Sequence, residues 1–142
     1  MSIPNITVAY TAVATAENGR DGRVYSDDGN LDVVVNPPKA MGGSGNGTNP
    51  EQLFAAGYSA CFQSALGVVA RQKKISIAGS TVTASVGIGQ ADTGGFGLEV
   101  ALTVSIPDVG TETARELVEQ AHQVCPYSNA TRGNIKVDLV VA

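Results

Sequence analysis

The architecture turns on Asn49-Pro50-Glu51-Gln52-Leu53-Phe54-Ala55-Ala56-Gly57-Tyr58-Ser59-Ala60-Cys61-Phe62. Asn49 has the side chain of an N-cap, and Pro50 suits the first helical position. Glu51 favours the positive end of the helix dipole, and Gln52 completes the capping-box spacing. The pattern predicts a long helix running to about Lys73. Phe54, Cys61, Ala65 and Val68 recur at helical steps, while Leu53, Ala56, Ala60 and Gly67 line a neighbouring stripe. Most of the circumference is therefore apolar or small, which predicts a helix buried at the centre of the fold.

Upstream, Ile6 to Ala14 mixes β-branched and small residues in the manner of a strand. Arg23-Val24-Tyr25 and Leu31 to Val35 flank the turn-rich Ser26-Asp27-Asp28-Gly29-Asn30, which predicts a hairpin and so a small antiparallel sheet. Pro37-Pro38 ends that strand. The glycine-rich loop from Met41 to Thr48 lacks the lysine and the preceding strand of a phosphate cradle, so it reads as a connector. Downstream, Thr81 to Ile88 and Phe96 to Ile106 predict two strands around Asp92-Thr93-Gly94-Gly95. Thr111 to about Val124 predicts an amphipathic helix carrying Ala114, Leu117, Val118 and Ala121, and Asn134 to Val141 a last strand. The expected class is α+β, with antiparallel sheets packed around a long central helix and residues 1–142 forming one domain.

A chain of 142 residues with 43% apolar and 15% charged residues can build a packed core. Its formal charge of −4 and nine scattered Lys and Arg provide no basic stripe for nucleic acid or anionic lipid. The N-terminus has no signal-peptide pattern, and no uninterrupted apolar run approaches the ~20 residues that span a bilayer. A cytoplasmic protein with neither nucleic-acid nor membrane partners is expected.

Two cysteines in such a compartment are catalytic, redox-sensing or simply buried. Cys61 lies mid-helix on an apolar face, where the plain reading is a small core residue. It stands too far from the helix start to gain from the dipole, so a reactive thiolate there needs a separate cation. Cys125 precedes Pro126, which biases it out of helical geometry at a point where the chain turns. The cysteines are 64 positions apart, which rules out CxxC spacing, and the single His122 leaves zinc short of ligands; no metal is expected. A Cys-His hydrolase using His122 is a weak reading, because His122 and Cys125 project from one short helix.

Gly19-Arg20-Asp21-Gly22-Arg23, the segment from Thr48 to Phe62, and Val124-Cys125-Pro126-Tyr127-Ser128-Asn129-Ala130-Thr131-Arg132-Gly133-Asn134 together resemble the organic hydroperoxide resistance (Ohr) branch of the Ohr/OsmC family. The resemblance spans nearly the whole chain. It implies the OsmC/Ohr-like fold, an intertwined homodimer, and a thiol peroxidase acting on alkyl and lipid hydroperoxides. No cofactor is implied beyond a dithiol reductant of the lipoyl type, either dihydrolipoamide or a lipoylated protein. Carried onto this chain, Cys61 is the peroxidatic cysteine, Cys125 the resolving one, and Arg20 with Glu51 the activating polar pair. Arg23 is the rival cation, and the hairpin register decides between the two. Gln63, Phe54 and Tyr127 are candidates for the substrate side of the site.

Helix geometry adds a separate expectation. Glu51 and Cys61 are ten residues apart, or about 15 Å along one helix, so a compact site containing both calls for two chains. Two copies of the helix crossing antiparallel near Ala56 would meet that need, and Ala55, Ala56, Gly57 and Ala60 are small enough for close approach. The competing expectation is a dimeric carrier of an apolar ligand, or a redox sensor, without turnover.

Overall fold

The structure is a computed structural model and describes residues 2–142. Packing concentrates in two compact units, one ending at Pro50 and the other comprising Glu51–Ala142.

The first unit holds an antiparallel meander of β1 (Ala14–Glu17), β2 (Gly22–Ser26) and β3 (Asp32–Val35). Glu17 pairs with Arg23 across the first turn, and Tyr25 with Asp32 across the second. Asn18 and Gly19 both take left-handed backbone angles in the first turn. A Cβ on Gly22 would lie 1.9 Å from the Glu17 carbonyl oxygen, so only glycine lets the strand re-enter there. The strand expected from Ile6 is corrected: β1 starts at Ala14, whose partner Ser26 is the last residue of β2. Asp27 N–H still reaches the Val13 carbonyl at 3.0 Å, after which the partner strand turns away. Among the described residues, 2–12 are left without a ladder in this chain, and Ile3, Ile6, Val8 and Tyr10 are exposed.

The second unit contains α1 (Pro50–Gln72, its first residue closing the first unit), β4 (Thr81–Gln90), β5 (Phe96–Ser105), α2 (Thr111–Val124), α3 (Pro126–Thr131) and β6 (Val137–Val141). The sheet order is β4-β5-β6, with β4 antiparallel to β5. Here a second expectation is corrected, because β6 runs parallel to β5. A parallel neighbour requires a long crossover, which α2 and α3 supply. β6 also starts three residues later than expected, after the turn at Gly133.

The core unites Tyr58, Phe62, Leu66 and Val69 of α1 with Val100, Leu102 and Val104 of β5 and with Ala114, Leu117, Val118 and Ala121 of α2. The four α2 positions are those that the amphipathic pattern named. On α1 the buried face differs from the expected one: Ala56 and Ala60 are exposed, while Tyr58, Phe62, Ala65, Leu66, Val69 and Ala70 are buried. Large side chains repay burial with more apolar area than alanine does, so the Tyr-Phe-Leu-Val face turns inward. An 18-residue stretch of α1 has a mean hydropathy of 1.4, which makes the helix long and apolar enough to cross a membrane by length and composition. Tyr58, Phe62, Leu66 and Val69 of that helix are buried in this core.

Candidate functional site

Cys61 and Cys125 are brought together by two helices. Cys61 projects from the start of the fourth turn of α1, and Cys125 is the junction at which α2 ends and α3 begins, with extended backbone angles of −61° and 121°. Pro126 at the first position of α3 holds that junction open. The Cys125 thiol donates to the Cys61 sulfur at 3.4 Å, and both cysteines are unbridged. A disulfide needs about 2.05 Å, so the sulfurs are within about 1.4 Å of bonding distance. Cys61 is half-buried and Cys125 completely buried. An external oxidant therefore meets Cys61 first.

Burial pushes the Cys61 thiol above its ordinary pKa range, and sharing the site with a second ionisable sulfur, Cys125, pushes the same way, because two thiolates in contact repel. The backbone N–H of Tyr127, aimed at the Cys61 sulfur, opposes them by favouring the thiolate. The second unit thus supplies the paired sulfurs and one donor, and burial prevails over that donor.

Tyr127 also belongs to an aromatic cluster. Its ring centroid lies 5.7 Å from that of Tyr58 and 6.2 Å from that of Phe54. Gly57 makes room for it, since a Cβ there would stand 3.0 Å from the Tyr127 hydroxyl. Phe54 and Tyr127, with Leu98, Ala130 and Ile135, line a mainly apolar cavity of about 410 Å³. Tyr127 joins the two features, for its backbone faces the cysteine pair while its ring walls the cavity.

Of the other candidates, Gln63 donates its amide to the Ser80 carbonyl at 2.9 Å and also approaches the Ser80 hydroxyl at 3.3 Å, which ties α1 to the segment entering β4. Glu51 occupies the first turn of α1, ten residues before Cys61 on one unbroken helix. Arg20 lies in the β1–β2 turn of the first unit. Arg23, the rival cation, is committed: its guanidinium holds both carboxylate oxygens of Asp32 at 2.8 Å and stacks 4.4 Å over the Tyr25 ring. Among the described residues no three His, Cys, Asp or Glu side chains cluster to hold a metal ion.

Sequence reasoning missed α3 and the polar groups behind the cysteines. Ser128 Oγ lies 2.8 Å from both the Tyr58 hydroxyl and His122 Nδ1, and the Tyr58 hydroxyl lies 3.1 Å from Thr131 Oγ1. The available signal was Ser128 and Thr131 three apart after Cys125-Pro126, a spacing that sets both hydroxyls on one helix face.

A long helix and a short one that press two thiols into contact beside an apolar cavity define a two-cysteine thiol protein. The OsmC-like protein family matches residues 43–140. An organic hydroperoxide resistance protein of Xanthomonas axonopodis pv. citri is 53% identical over 137 residues, covering 95% of this chain and 96% of that one. The organic hydroperoxide resistance protein OhrB of Bacillus subtilis is 48% identical over 131 residues, covering 92% and 96%. The crystal structure of an organic hydroperoxide resistance protein from Elizabethkingia anophelis superimposes with a TM-score of 0.91 at 57% identity, covering 96% of this chain and 99% of that one. That of the Bacillus subtilis protein gives 0.87 at 46% identity, covering 95% and 100%. The chain belongs to the Ohr branch of the Ohr/OsmC family.

Proposed function

We propose that this protein confers organic hydroperoxide resistance as a thiol peroxidase. The carrying observation is the 3.4 Å approach of a half-buried Cys61 to a fully buried Cys125. In the first step the Cys61 thiolate attacks the O–O bond of an alkyl or lipid hydroperoxide, taking one oxygen as a sulfenic acid and, with a proton, releasing the alcohol. In the second, the Cys125 thiol displaces that hydroxyl as water and forms the Cys61–Cys125 disulfide. A dithiol donor then reduces the disulfide and leaves as its own disulfide. A lipoyl donor, either dihydrolipoamide or a lipoylated protein, fits a cytoplasmic setting. The apolar cavity favours alkyl over hydrogen peroxide, with Phe54 and Tyr127 along the chain of the substrate; Gln63, which is engaged with Ser80, takes the less direct part.

Burial disfavours the thiolate, so the site calls for a cation, and Arg20 is the one assigned, held in place by Glu51. The commitment of Arg23 to Asp32 supports that choice. Homodimerisation with a shared site fits three observations. Glu51 stands about 15 Å along the helix from Cys61. Ala56 and Ala60 expose a small-residue stripe on α1, and the residues ahead of β1 expose apolar side chains at Ile6, Val8 and Tyr10, alternating as in an unpaired strand.

Steady-state assays with cumene hydroperoxide and hydrogen peroxide, using dihydrolipoamide and then thioredoxin as donor, test the reading. Fast organic-peroxide turnover that prefers the lipoyl dithiol and vanishes in Cys61→Ser is expected. The cavity also favours a second reading, carriage of an apolar ligand, and ligand binding without peroxide consumption would select it.

A further inference from the structure

Behind the cysteines, four side chains form a hydrogen-bonded chain whose direction is determined. Thr131 Oγ1 donates to the Ser128 carbonyl at 3.2 Å, since a carbonyl only accepts. Each hydroxyl has a single proton. With Thr131's proton spent, the Tyr58 hydroxyl must donate to Thr131 Oγ1, the Ser128 hydroxyl must donate to Tyr58, and His122 must donate to Ser128 through Nδ1–H. All four bonds form only in this order.

The chain starts at His122 on α2, crosses to Ser128 on α3, reaches Tyr58 on α1 and returns to α3 at Thr131. Tyr58, Ser128 and Thr131 are buried, and no buried side-chain nitrogen or oxygen among the described residues lacks a partner. Arg132 adds a brace, donating to the His122 carbonyl at 2.5 Å and to Asn129 at 2.8 Å. Burial, and after it the charge of Arg132, hold the His122 imidazole below its ordinary pKa range against the pull of Glu119. Protonation adds a hydrogen at Nε2 and leaves Nδ1–H in place, so the chain survives titration of this histidine.

Three residues before Ser128 stands Cys125, and one before it stands Tyr127, whose N–H meets the Cys61 sulfur. We propose that the ordered chain His122–Ser128–Tyr58–Thr131 is a positioning device that clamps α3 onto α1 and thereby sets the rate at which Cys125 resolves oxidised Cys61. The inference rests on the two-step chemistry above and concerns its second step. Closure must carry two sulfurs across the last ~1.4 Å, and a pre-aligned thiol gains rate by the proximity it need not search for.

The test uses the full-length reduced protein mixed with one equivalent of cumene hydroperoxide and quenched at intervals. Dimedone trapping reports the sulfenic acid, and mass spectrometry reports the disulfide. His122→Leu removes one bond of the chain and is expected to slow closure about tenfold relative to Cys61 oxidation, while Tyr58→Phe and Ser128→Ala each remove two and are expected to slow it by at least as much. Excess peroxide should then drive more Cys61 to sulfinic acid. His122→Asn keeps an N–H donor near the Nδ1 position and should restore closure. A merely structural role would lower the melting temperature without changing the ratio of the two steps, so an unchanged ratio in all three variants overturns the proposal. Diamide separates this inference from the peroxidase reading, because it adds to one thiol and the second thiol displaces it. Slowed closure with diamide, beside no reaction with cumene hydroperoxide, would keep the positioning device and remove the peroxidase.

Discussion

At the scale of single residues the reactivity of Cys61 is a contest between burial and nearby donors. Burial and charge repulsion from a second ionisable sulfur, Cys125, raise its pKa, and the Tyr127 N–H lowers it. The thiolate is the nucleophile, so alkylation of Cys61 accelerates as pH rises toward that pKa. Cys125→Ala removes one of the upward pushes and is expected to move the midpoint of iodoacetamide alkylation to lower pH. Arg20→Met, by removing the assigned cation, is expected to move it to higher pH. Midpoints that stay in place in both variants would count against the electrostatic account. Cys61 and Cys125 were singled out from sequence because each sat in an unusual context, mid-helix and before proline. His122 was legible only as a lone histidine, since its partners Ser128 and Tyr58 are distant in sequence and meet only when α3 docks.

Among the elements, α2 and α3 act as one arm that presents Cys125. The α2 pattern was fully legible, because one helix face repeats every three to four residues and the core claims that face. Leu117 is wholly buried in that core. Leu117→Ala is expected to cost roughly 2–5 kcal/mol of stability, read as a lower denaturation midpoint in urea. The reduction in midpoint should come with little change in the slope. α3 was not legible: six residues are too few for periodicity to declare a helix, and Pro126 marks a start only once a helix is known to follow. The inward face of α1 was misjudged for a related reason. Spacing alone treats Ala56 and Leu66 as equivalent, while burial is weighted by the area each removes from water.

For the whole molecule, the proposed shared-site dimer makes a quantitative expectation. Mixed under exchange, inactive Glu51→Ala and Cys61→Ser chains form heterodimers in which one site combines Glu51 of one chain with Cys61 of the other. Activity should return to about a quarter of wild type, because half the dimers are mixed and each has one intact site. Enzymes whose sites lie within one chain would stay inactive on mixing. The amino-acid sequence by itself determined the α+β class, the span of the long helix, the α2 core face and the two cysteines, because these depend on local spacing, caps and residue types. Only the tertiary structure decided that β6 lies parallel to β5, that the described residues 2–12 have no ladder partner in this chain, and that Arg23 is spent on Asp32. It alone decided that Tyr58, His122, Ser128 and Thr131 close a chain behind the sulfurs. Those outcomes depend on which distant segments meet, and the pairing of distant segments is settled by packing and hydrogen-bond satisfaction across the fold rather than by any local pattern.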